Sequence, residues 1–107
     1  MYGRIARARV RRNLNQAELA RLLGVSQAKV INWEYGYHKV RREILMEIAD
    51  VLGVDFAWLA GAGPRIPYEN RLCEIVERYI GNDGGRYLTL DHPRLGFVDV
   101  AMLAESA

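Results

Sequence analysis

The chain has 107 residues, half of them hydrophobic, which is enough for one packed domain or a small domain with an appendage. Its single cysteine, Cys73, excludes an internal disulfide and a zinc site built on thiolates, and no apolar run approaches the ~20 residues of a membrane span. The net charge of +2 conceals a split: residues 1–42 hold ten Lys/Arg against two acids, a balance of +8, whereas residues 43–107 hold five against eleven, a balance of −6. Such a split implies either that one end of the chain faces a polyanion or that its arginines form a solvated helix face. The N-terminus carries arginines but no apolar signal core, so a cytoplasmic location is expected.

Five helices are predicted in the first 60 residues. The first covers 4–12, with Ile5, Ala8 and Arg9 on one face, and Asn13 suits its left-handed end. The second covers 16–23, opened by a capping box of Asn15 and Glu18 and stopped by Gly24. The third starts after Ser26, a good N-cap, and runs to about Tyr35, with Gly36 as its stop. The fourth covers about 42–52, with Ile44, Leu45, Ile48, Ala49 and Leu52 at helical spacing and Gly53 closing it; no cap is evident at its start. The fifth is short, about 55–60, with Asp55 as its cap.

Residues 61–67, GAGPRIP, read as a linker. A sixth helix is predicted over Tyr68 to Ile80, where Leu72, Ile75, Val76, Tyr79 and Ile80 form an apolar stripe and Glu69, Glu74 and Glu77, with Asp83 beyond, form a solvated face. GNDGG, 81–85, ends it. Residues 86–90 and 97–102 then read as two short strands around a DHPRLG turn, although 97–102 also fits a helix. The fold class expected is mainly α, with a short β-hairpin at the end.

The most informative stretch is QAELARLLGVSQAKVINWEY, Gln16 to Tyr35. Two short helices joined by a tight glycine turn cross steeply, and the turn needs the positive φ that glycine adopts without steric cost. The helices must bury apolar residues against each other. Leu19, Leu23, Val25, Val30 and Trp33 stand at those positions, Ala20 supplies the small residue where the helices touch, and Gly24 is the turn.

This segment, with LNQAELA at 14–20 and WEYG at 33–36, resembles the helix-turn-helix of the lambda-repressor-like, Cro/C1-type (XRE) regulators over about 2–62. The resemblance implies a five-helix DNA-binding domain at 1–62, whose second and third helices read DNA, followed by a distinct segment at 63–107. The expected function is sequence-specific regulation of transcription, as a repressor on a two-fold operator, with 27–35 as the recognition helix in the major groove.

At 100° per residue, Val30 and Trp33 point inward, and Gln27, Ala28, Ile31 and Asn32 become the candidate base contacts. Gln27 and Asn32 can pair with adenine, and Ile31 can meet a thymine methyl. Gln16 matches a glutamine that bonds a phosphate in the family. Lys29, His38, Lys39, Arg41 and Arg42 are further candidate phosphate contacts, the last four in the loop after the third helix. That loop departs from the family, with Tyr35 in place of asparagine and Val40 where proline is frequent. Arg9 and Glu34 match a structural ion pair between the first and third helices.

The stripe of Leu72, Ile75, Val76 and Tyr79 is expected to dimerise the protein. No cofactor, metal or enzymatic activity is expected: His38 and His92 belong to no metal-spaced set, and no phosphate loop or nucleophile motif occurs. An alternative function is that of an antitoxin, which would bind DNA through the same domain and a toxin through the C-terminal segment.

Overall fold

A computed structural model describes residues 3–102 of the chain; the outermost residues of the two expected segments, 1–2 and 103–107, lie outside the described range. Five helices come first: α1 (Arg4–Arg11), α2 (Gln16–Leu23), α3 (Gln27–Glu34), α4 (Arg42–Leu52) and α5 (Phe56–Leu59). Local chemistry sets their ends. The Asn15 side chain accepts the Glu18 N–H at 2.7 Å while the Glu18 carboxylate accepts the Asn15 N–H at 2.9 Å, so both orphan donors are satisfied at once. Ser26 accepts the Lys29 N–H at the start of α3. Asn13 ends the α1 region at φ 58°, in the left-handed conformation. Asp55 precedes α5, but its side chain makes no cap. The carboxylate pairs with Arg78 instead, and its N–H donates to the Val76 carbonyl.

The second half corrects the helical expectation. Residues 68–80 are not a helix, and four strands follow α5: β1 (Arg65–Tyr68), β2 (Arg71–Ile80), β3 (Arg86–His92) and β4 (Gly96–Ala101). They form one antiparallel meander in the order β1-β2-β3-β4. The fold is therefore a helical unit joined to a four-stranded sheet, and the two strands expected at 86–90 and 97–102 are its second half.

A bulge explains the misleading stripe. Register along β2 and β3 shifts between Ile75 and Glu77, leaving Val76 as an extra residue. Cys73 and Ile75 pack with Leu88 and Leu90 in a core belonging to the sheet alone. After the extra residue the alternation is reset, so Glu74, Val76 and Glu77 all turn towards the helices. A strand interrupted in this way spaces its apolar residues much as a helix does. The Leu72, Ile75, Val76 and Tyr79 stripe thus has no single face: Val76 is buried in the helical core, Ile75 in the sheet core, and Leu72 is exposed.

The main core joins Leu19, Val30, Ile48, Leu52 and Trp58 from the helices with Val76 from the sheet, and Phe97 packs its edge against Trp58 with ring centroids 5.6 Å apart. Among the described residues, no helix is long and apolar enough to cross a membrane.

Candidate nucleic-acid interface

The turn between α2 and α3 has the geometry its sequence requires. Gly24 adopts φ 68°, ψ 32°, and the Val25 N–H returns to the Ala20 carbonyl at 3.0 Å. Leu19, Ala20, Val30 and Trp33 are buried, and Leu23 and Val25 pack on the same core. These contacts fix α3 from behind and leave its first turn open: Gln27, Ala28 and Lys29 are exposed. Asn32 and Ile31 are half-buried beside them. Ile31 is thus less exposed than helical geometry alone suggests.

Gln16 opens α2 next to this face. Its side-chain Nε2 donates to Glu34 Oε1 at 3.0 Å, which orients the carboxamide. Glu34 itself is fully buried and is gripped by Arg9 through Nε at 2.6 Å and Nη2 at 3.1 Å; Arg9 Nη1 also donates to the Leu14 carbonyl. The ion pair therefore ties α1 to α3 and, through Gln16, to the start of α2.

The segment after α3 is built on an aromatic pair. Tyr35 and Tyr37 stack with centroids 5.9 Å apart, and the Tyr37 N–H donates to the Asn32 carbonyl. His38, Lys39 and Arg41 are exposed along it. Arg42 begins α4 rather than ending the loop, and its guanidinium lies over Phe56 at 5.0 Å.

The arginines of the first helix have a different fate from either sequence expectation. Arg4 bonds Glu74, Arg7 bonds Asp91, and Arg11 and Arg12 both reach Glu77. Arg7 also lies over the Phe97 ring at 4.5 Å. With Arg9 on Glu34, the five arginines of this segment are all ion-paired within the chain, so they are not simply a solvated face. Conversely, Glu74 and Glu77 are not a solvated helix face. Burial alone would push the Asp91 carboxyl up, but hydrogen bonds from Arg7 and Trp58 and the nearby charges of Arg7 and Arg4 outweigh it and hold it below the usual carboxylate range. Sequence reasoning missed these three acids as partners of α1. The available signal was Arg4, Arg7 and Arg11 at i, i+3, i+7, one face of a helix.

Arg21, Lys29, Lys39, Arg41 and Arg42 are then the cations of the helical unit without a carboxylate partner among the described residues. Lys29 stands on α3, and Lys39, Arg41 and Arg42 follow it. A helix-turn-helix family model matches residues 5–59.

The chain belongs to the Cro/C1-type helix-turn-helix family. As a member it is a DNA-binding transcription regulator, and the family's domain corresponds here to α1–α5. The four-stranded sheet lies outside the matched residues. No curated protein and no solved structure matches the chain.

Proposed function

We propose that this Cro/C1-type protein is a sequence-specific repressor that inserts α3 into the major groove of a two-fold operator as a homodimer. The observation that carries this reading is the open first turn of α3, where Gln27, Ala28 and Lys29 project from a helix anchored on its other side by Val30 and Trp33. Eight residues span ~12 Å, comparable to the ~12 Å width of that groove. Gln27 and Asn32 offer paired hydrogen bonds to adenine, and Ala28 and Ile31 offer apolar contact to thymine. Gln16, Lys29, His38, Lys39, Arg41 and Arg42 would hold the flanking phosphates and set the register. Steric exclusion of polymerase from an occupied site makes repression the proposed sign of regulation.

Dimerisation is assigned to the sheet. Its two edges differ: β1 has four residues and contains Pro67, whereas β4 has six residues and no proline. The Met102 N–H bonds the Arg86 carbonyl, so by alternation Phe97, Asp99 and Ala101 direct their backbone groups away from β3. A second copy of β4 could extend the meander across a two-fold axis.

Two experiments test this reading. Selection from random DNA should return a symmetric site with A·T pairs in each half. The full chain should have dimeric mass at tens of micromolar, and Ala101→Pro, which removes one outward N–H, should shift it towards monomer. A monomeric wild type, or an asymmetric selected site, would remove the dimer from the account.

A further inference from the structure

A cleft lies on the sheet side of the molecule, between the start of α1 and the β3–β4 turn. Its volume is about 680 Å³, within the ~300–1,000 Å³ common for small-molecule sites. Its walls include Arg4, Arg7, Arg65, Arg94, Glu74 and Asp91. Four guanidiniums face two carboxylates, so the cleft carries an excess of two positive charges.

The pairing within it is uneven. Arg65, Glu74, Asp91 and Phe97 form one cross-strand row. Arg4 engages both oxygens of Glu74, and Arg7 engages both oxygens of Asp91. Arg65 stands beside a carboxylate that is already taken, and it has no hydrogen bond or ion pair of its side chain among the described residues. The same holds for Arg94. The backbone carrying Arg94 is nevertheless fixed: buried His92 accepts the Arg94 and Leu95 N–H groups through Nδ1 at 3.0 and 3.1 Å. The cleft also meets Gly3, the N-cap of α1, where among the described residues no side chain caps the first turn. The positive end of a helix favours an anion.

We propose that this cleft binds a small multiply charged phosphate anion, held by Arg65 and Arg94 beside the N-terminal end of α1. Guanidinium forks match phosphate oxygens two at a time, and two forks plus a helix end suit a diphosphate better than a single carboxylate. Because the walls come from both the helical unit and the sheet, an occupant bridges the two and stabilises their joint.

The test uses the full chain and inorganic pyrophosphate as the probe, by titration calorimetry at low salt. Wild type should bind one equivalent, and its melting temperature should rise with pyrophosphate. Arg65→Ala and Arg94→Ala should each weaken binding about tenfold or more and abolish the thermal shift, with unchanged circular dichroism. Arg71→Ala removes an exposed arginine outside the cleft and should change affinity less than about twofold. No saturable heat with wild type up to millimolar pyrophosphate would overturn the proposal, as would equal losses in all three variants. A DNA phosphate is the other source of the same chemistry. If wild type takes up no pyrophosphate while Arg65→Ala/Arg94→Ala flattens the salt dependence of DNA binding by about two units, the arginines serve DNA and the small-ligand site is refuted.

Discussion

Asp91 joins the helical unit to the sheet, and its replacement should separate two contributions. Its carboxylate accepts two hydrogen bonds from Arg7, at 2.9 and 2.7 Å, and one from the indole N–H of Trp58 at 3.1 Å. Trp58 is fully buried, so Asp91→Ala leaves its N–H without a partner in the core, which costs roughly 1.5–3 kcal/mol for a bond to a charged acceptor. The Arg7 side chain is 37% exposed, so solvent screening limits its pair to ~0.5–1 kcal/mol. Asp91→Ala should therefore lose about 3 kcal/mol. Asp91→Asn keeps an oxygen for Trp58 and should lose about 1 kcal/mol. At ~4 °C per kcal/mol for a chain of this size, the melting temperature falls by about 12 °C and about 4 °C respectively.

The same carboxylate gives a pH signature. Its pKa is lowered in the folded protein, so its stabilisation is complete above the ordinary carboxylate value of ~3.9 and is lost as pH falls through the lower folded value. The gap between wild type and Asp91→Asn should accordingly close in that acid window. Urea unfolding by circular dichroism at pH 7 and across pH 2–5 measures both effects. Equal losses for Ala and Asn would refute the role given to Trp58. A gap that stays constant through the acid window would refute the ion pair.

Breaking the Arg9–Glu34 pair from one side, as in Arg9→Met, should lose ~3–5 kcal/mol, because it strands a buried carboxylate; Arg9→Met with Glu34→Leu should lose less than the two single changes added together, and additive losses in urea unfolding would contradict the coupling. Arg41→Ala should weaken binding to all DNA and flatten the slope of log affinity against log salt by about one unit, whereas Arg11→Ala should leave that slope unchanged, since Glu77 holds its guanidinium; fluorescence anisotropy at several salt concentrations distinguishes them.

The parts of this fold that could be read in advance are those encoded locally. Asn15 with Glu18, Gly24, Ser26 and Gly53 mark helix ends within a few residues, and each sits at the end expected. β2 was illegible for two local reasons. Its bulge at Val76 imitates helical spacing, and the turn before it places Glu69 and Asn70 at φ 47° and 64°. A tight hairpin normally announces itself with Asn-Gly or Asp-Gly, and glutamate at a left-handed position is a poor signal. The pairing of the α1 arginines was hidden for a non-local reason. Glu74, Glu77 and Asp91, which pair with Arg4, Arg7, Arg11 and Arg12, lie more than 60 residues away, brought there by a sheet that was itself hidden. At the interface, the anchoring residues Val30 and Trp33 followed from periodicity, while the link from Gln16 to Glu34 needed the crossing of α2 on α3.

Sequence-specific binding by this protein requires α3 to read base edges. The most direct measurement is the affinity of Asn32→Ala, beside wild type, for the selected operator and for random duplex of equal length at one salt concentration. Loss of ~1–3 kcal/mol on the operator with little change on random DNA is the result predicted. Equal losses on both duplexes, or none on either, would contradict the placement of α3 in the major groove.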